Sequence, residues 1–338
     1  MSSSRPLRLA LFGSGRIGQV HARNLAADPD IELVLIADPF IDAARALASQ
    51  TGARAVQDPE EVFAAQDLDG VIIGSPTNTH VDLMTRAAER GLAVLCEKPI
   101  DLDLDTVLAC RDRVKNATAP IMLGFNRRFD PGFAAVNARV EAGEIGPLEQ
   151  LTIISRDPAP APRGYLETSG GIFRDMTIHD LDMARFFVPD IVEVTAVGAN
   201  QFSDDIRELG DYDSVVVTLR GRGGELISIT NSRHCSYGYD QRLEAFGPEG
   251  MLEARNLTPT AVRKHDASGT ELQDPIMNFF LERYAEAYRL ELQAFAQAIR
   301  SGTTPSPGFA DGLAALVLAD AAVESAQNGK TVTVEQIW

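Results

Sequence analysis

Three short stretches of this 338-residue chain carry residue types at spacings that can do chemistry. The first is "GSGRIG", where Gly13, Gly15 and Gly18 stand in G-x-G-x-x-G order. An apolar run precedes it, a helix-period pattern follows, and Asp38 ends the next apolar run, about the 20 residues on that a dinucleotide site requires. Gly13 then permits the tight turn, Gly15 lets backbone amides approach a pyrophosphate, and Gly18 allows the helix to pack closely on the strand. Arg16 and Ile17 lie between them, where the helix's positive end would face the phosphates. The Asp38 carboxylate can accept hydrogen bonds from an adenosine ribose but would repel a 2′-phosphate. Pro39 and Phe40 supply no arginine to offset that repulsion, so the expected cofactor is NAD rather than NADP.

The second stretch is "EKP", Glu97-Lys98-Pro99, directly after an apolar run. The third is "GGIFRDMTIHDLD", residues 170–182, with Asp175 four places before His179 and Asp182 three beyond it. On an α-helix, residues four apart share a face, so Asp175 and His179 are expected to point together. Three readings are open: a structural ion pair, two ligands of a metal, or a proton-handling group. No tight cluster of further ligand types stands nearby, so no metal is expected. A dinucleotide domain calls for an acid or base elsewhere, and histidine is the side chain whose ordinary pKa best suits that role.

These groups need elements to hold them. "IELVLIAD", "GVIIGS", "LAVLCEKP" and "APIMLGF" alternate with helical patterns, which predicts parallel βαβ units and a doubly wound sheet over residues 1–125. Its ligand belongs at the strands' carboxyl ends, where "SPTNTH" would bring Ser75, Thr77, Asn78 and His80 to the cofactor beside Glu97 and Lys98. From 126 to 338 the pattern changes to β-rich runs with glycine or acidic turns, read mostly as antiparallel strands. Two helices close the chain, each ending at glycine, the last able to pack back on the first domain.

The formal charge of −17 argues against a nucleic-acid partner. The three cysteines have no paired spacing and fit a reducing cytoplasm. No apolar run reaches membrane-spanning length, and the opening "MSSSRPLRLALF" lacks a leader pattern. A cytoplasmic protein without a membrane partner is expected.

Together, "GSGRIG", "CEKP", "GGIFRDMTIHDLD" and the closing "AAVESAQNGKTVTV" resemble the Gfo/Idh/MocA oxidoreductases over essentially the whole chain. "GFNRRFDPGFA", "SRDPAPAP", "DMTIHDLDMARF" and "NSRHCSYGYDQRLEAFG" are similar to that family's inositol-oxidising branch. The resemblance implies an N-terminal Rossmann domain and a C-terminal α/β domain. The latter carries a large open sheet that packs between subunits, giving a homo-oligomer, commonly a tetramer. It implies Lys98, Asp175 and His179 as the catalytic set, with Arg127, Asp157 and Tyr239 as further contacts to a small neutral polyol such as myo-inositol. An NAD-dependent glycoside hydrolase and a non-catalytic dinucleotide-binding regulator are the alternatives within the same fold.

Overall fold

The computed structural model describes residues 5–338; residues 1–4 of the opening segment lie outside them. The chain divides into two compact units. One contains the chain through Asn126 together with 287–313 and Trp338; the other contains Arg127–Glu286 and 314–337.

In the first unit, β1 (Leu7–Phe12), β2 (Ile31–Ala37), β3 (Arg54–Val56), β4 (Gly70–Ile73), β5 (Ala93–Glu97) and β6 (Ile121–Gly124) form one sheet in the order β3-β2-β1-β4-β5-β6. Every pairing is parallel. Strand order reverses at β1 and β4, and the crevice at that switch point is where a doubly wound sheet takes its ligand. Leu9, Leu11, Val71, Ile72 and Val94 are fully buried, as central strands covered on both faces must be. The three-residue β3 is too short to show a pattern and was not foreseen.

The second unit holds β7 (Gln150–Arg156), β8 (Ile191–Ala199), β9 (Ser214–Gly221), β10 (Leu226–Ser232), β11 (Asp240–Gly247), β12 (Gly250–Ala254) and, beyond a separate hairpin of β13 (Arg263–Asp266) and β14 (Gly269–Gln273), β15 (Val332–Thr333). The large sheet runs β12-β11-β7-β10-β9-β8-β15. Only β7 and β10 pair in parallel; the other neighbours are antiparallel. Residues alternate strictly between its faces. Val215, Val217 and Leu219 are buried, while Val216 is half exposed, so one face is covered and the other open. Asn231 lies opposite Val215 and bonds Thr177 and Asp180, which places the helix Ile178–Phe187 on the covered face.

The helices Ala285–Ser301 and Phe309–Asn328 each stop at a left-handed glycine, Gly302 and Gly329. Among the described residues, no helix is long and apolar enough to cross a membrane. All three cysteines are free and buried.

Candidate functional site

In the first unit the glycine turn is shaped by contact. Gly13 has φ +95°, and a Cβ on it would lie 2.6 Å from the Gly74 carbonyl oxygen. One on Gly18 would lie 2.1 Å from the Gly13 oxygen, so neither position accepts a side chain. At Gly15 a Cβ would meet nothing within 4 Å. That open space lies at the start of the 12-residue helix Arg16–Ala27, whose N-cap makes no side-chain hydrogen bond. Arg16 is exposed and Ile17 half-buried. Asp38 accepts hydrogen bonds from the Ser14 amide at 2.7 Å and hydroxyl at 2.6 Å, and from the Phe40 amide at 2.8 Å. It therefore ties β2 to the turn while its carboxylate keeps acceptor capacity. Uncapped helix amides, open space and an anchored carboxylate fit the pyrophosphate and ribose of a dinucleotide.

The 75–80 loop begins a short turn, Thr77–Thr79, in which Ser75 and Thr79 hydroxyls lie 2.6 Å apart and Asn78 is exposed. His80 is packed into the fold. It is 1% exposed, with Nδ1 2.8 Å from the Pro99 carbonyl and Nε2 2.9 Å from the Ser75 carbonyl. Burial lowers its pKa. With its ring nitrogens facing backbone oxygens of two segments, His80 is a strut between the 75–80 loop and Pro99. It steadies the turn of Lys98, which is half-buried and joined to Pro99 by a cis peptide bond.

In the second unit, Gly170 and Gly171 both take positive φ. The Ile172 amide then donates to Asp211 Oδ1 at 2.9 Å, which starts the helical run. Phe173–Thr177 forms a π-helical turn before the α-helix Ile178–Phe187, so the straight α-helical face expected from 175 to 179 is not what forms. Even so, Asp175 and His179 are both half-buried, whereas Met176, Thr177, Ile178 and Asp180 are buried.

The acids on this run divide sharply. Asp180 is 0% exposed and accepts from Arg127 Nη1 at 2.5 Å, Ser155 Oγ at 2.7 Å and Asn231 Nδ2 at 2.7 Å. Asp182 is 1% exposed and takes a two-pronged bond from Arg128, 2.9 Å from Nε and 2.6 Å from Nη2. Asp182 therefore anchors the helix to Arg128. Arg127, expected to reach a polyol, is itself buried: Nη1 serves Asp180 and Ser155, and the guanidinium lies 5.6 Å from the Tyr284 ring. Its geometry is that of a core ion pair.

Asp175 accepts from the Tyr165 hydroxyl at 2.7 Å and from Arg233 Nη1 at 3.1 Å. Neither Tyr165 nor Arg233 was among the expected site residues, and no spacing rule marks them, since they stand 10 and 58 positions from Asp175. Asp157 directly follows β7, its amide bonded to the Ser232 carbonyl. Burial pushes its carboxyl up to about 6, with the neighbouring Asp175 acting in the same direction and Arg233 against it. Tyr239 is buried edge-on against Tyr284 at 5.9 Å, and burial raises its phenol well above its ordinary value. Asp157, Asp175, Arg233 and Tyr165 thus form one electrostatic group.

Residues 7–125 match the NAD-binding Rossmann fold of one oxidoreductase family, and residues 137–334 match that family's C-terminal alpha/beta domain. The chain is 46% identical over 329 residues to the inositol 2-dehydrogenase of Rhizobium meliloti (strain 1021), covering 97% of this chain and 99% of that protein. It is 40% identical over 333 residues to the myo-inositol 2-dehydrogenase of Thermotoga maritima, covering 98% and 99%. Among solved structures, a myo-inositol dehydrogenase from Corynebacterium glutamicum ATCC 13032 superposes with a TM-score of 0.95 at 67% identity, covering 98% of this chain and 99% of that one.

Proposed function

The chain belongs to the Gfo/Idh/MocA oxidoreductase family, and from that premise we propose that it oxidises myo-inositol, or a close stereoisomer, to an inosose with NAD. The observation that carries this reading is the sorting of ionisable groups along 175–182. Asp180 and Asp182 are locked in arginine pairs with both partners buried, whereas Asp175, though paired with the buried Arg233, and His179 are only half-buried.

NAD, when bound, accepts the hydride. His179, as a neutral imidazole, removes the proton of the reacting hydroxyl. Asp175, held by Tyr165 and Arg233, keeps its carboxylate in a constant place, where it orients His179 or a neighbouring substrate hydroxyl. Lys98 supplies positive charge where the substrate oxygen gains negative charge, an interaction stronger in the transition state than in the ground state. Asp157 and Tyr239 offer hydrogen bonds to a hydroxyl-rich ring. Gly13, Gly15, Gly18, Asp38 and the 75–80 loop form the cofactor cradle, with Asp38 favouring NAD over NADP.

The open face of the large sheet supports a homo-oligomer, which we place as a tetramer in the cytoplasm. Val197 and Val216 are 66% and 50% exposed there. A groove of about 810 Å³ crosses the same strands past Thr230, Tyr237 and Arg156, an apolar and polar mixture suited to a second copy of the chain.

The test is formation of NADH from NAD, or NADPH from NADP, with a panel of inositols, aldoses and chromogenic glycosides. Rapid oxidation of an inositol with NAD is expected. Oxidation of aldoses alone would replace the substrate, and release of an aglycone without net NADH would replace the reaction. Lys98→Met should lower turnover about 10²–10³-fold with little change in inositol binding.

A further inference from the structure

Within the first unit lies a buried group of titratable side chains that the proposed chemistry does not use. His21 belongs to the helix Arg16–Ala27, Glu97 ends β5 immediately before Lys98, and Glu291 belongs to the helix Ala285–Ser301. One polar atom from each lies within 4.8 Å of the other two. His21 and Glu291 are 0% exposed, and the Glu97 side chain is 12% exposed. His21 Nε2 stands 2.7 Å from Glu97 Oε1. Both carboxyl oxygens of Glu291 are buried without a hydrogen-bond partner, and so is His21 Nδ1.

Charge counting limits what this cluster can be. A neutral imidazole beside two ionised carboxylates would bury two negative charges with no cation, which low dielectric does not tolerate. At least one proton must be shared within the group. Glu291 is the group most removed from water, and burial together with the Glu97 charge raises its pKa well above the usual carboxylate range. The fold also reserves room for Glu97: a Cβ on Gly124 would lie 2.9 Å from Glu97 Oε2. On the remaining side, His21 meets Tyr288 edge-on at 5.9 Å.

We infer that Glu291 is held as a neutral carboxylic acid against Glu97, and that the packed Glu291–Glu97–His21 group fixes the strand end from which Lys98 projects. Glu291 is then a positioning residue for the reaction, acting through Glu97 on the lysine. This rests on the reading that Lys98 acts on the substrate oxygen. The same three side chains are metal-ligand types, but 2.7 Å between His21 and Glu97 is a hydrogen-bond length, with a proton between the two atoms.

Infrared spectroscopy of the full-length chain at neutral pH reads the proton directly. A protonated-carboxyl C=O band is expected in the unmutated protein and should disappear in Glu291→Gln. Kinetics read the positioning. Glu291→Gln keeps shape and a donor and should retain kcat within an order of magnitude. Glu291→Leu removes the donor and should lower kcat about 10²-fold, the scale of a misplaced reacting group, with KM for the polyol little changed and NAD binding intact. A band that survives in Glu291→Gln, equal losses in the two variants, or full kcat in Glu291→Leu would overturn the proposal. So would one equivalent of Zn²⁺ or Mn²⁺ bound by the unmutated chain in equilibrium dialysis and lost in Glu291→Gln, which would make this a cation site. If Glu291→Leu does not fold, the band and the kcat of Glu291→Gln decide. The infrared arm needs no substrate, so its failure is distinct from failure of the polyol reading.

Discussion

The glycine turn at residues 13–18 and the acidic run at residues 175–182 place polar groups by opposite means. At the turn the chemistry lies in the backbone: side chains are excluded at Gly13 and Gly18 by the carbonyls they would strike, and one carboxylate, Asp38, holds the turn through Ser14. On the acidic run the chemistry lies in side chains, and similar residues have different fates. Adjacent arginines, Arg127 and Arg128, remove Asp180 and Asp182 into the core, while Asp175 stays half-buried on Tyr165 and Arg233. A backbone site depends on the absence of side chains. A side-chain site depends on which of several like residues is buried together with its partner, because an unpaired buried charge costs several kcal/mol and pairing offsets much of that cost.

The largest effect that would sharpen this contrast is expected at His179. His179→Ala should lower turnover about 10²–10⁴-fold, with unchanged circular dichroism and NAD binding; full turnover in the folded variant would return His179 to a packing role. Asp182→Ala, three residues on, should act on stability instead. It leaves Arg128 buried without its carboxylate and should cost about 3–5 kcal/mol in urea unfolding. A variant of normal stability that has lost turnover would break the division between anchors and reactive groups.

In the other region, Asp38→Ala should weaken NAD about 10–100-fold, the equivalent of losing about 1.5–3 kcal/mol of hydrogen bonds to a charged group. Binding of NADP should change less. Equal weakening of both cofactors, measured by fluorescence titration, would mean that Asp38 serves only to hold Ser14.

The smallest effect concerns Asp157, whose carboxyl is pushed up to about 6 from an ordinary 3.8. Between those values the folded chain holds a proton that the unfolded chain has lost. Stability therefore falls as pH rises through that window and levels off above it. Asp157→Asn removes the ionisation. The variant should melt about 2–4 °C above the unmutated chain at neutral pH, and the gap should close below the ordinary value of 3.8. A gap independent of pH would assign it to packing rather than charge.

The parallel sheet, the glycine turn and the β-rich second half were legible because each is written in patterns a few residues long: apolar runs, period 3.6 and period 2. Elements without such a pattern were not. The three-residue β3 and the two-residue β15 are too short to alternate. The parallel pairing of β7 with β10 joins strands separated by two others in sequence. At the candidate site the pattern of Asp175 and His179 was visible, but their π-helical turn was not, and neither were the roles of His80 and Arg127 as struts. Those roles depend on carbonyls and carboxylates that other parts of the chain bring to them.

By itself the sequence determined the βαβ order, the shape required of the 13–18 turn, and the presence of an acid and a histidine beside two further acids. These follow from local sterics and periodicity. Only the tertiary structure decided which acids are anchors, that Tyr165 and Arg233 hold Asp175, and that Glu291 meets Glu97 and His21. Each of those outcomes turns on burial and on a partner distant along the chain. The cost of desolvating a charge depends on what stands opposite it, and spacing along the chain does not encode that.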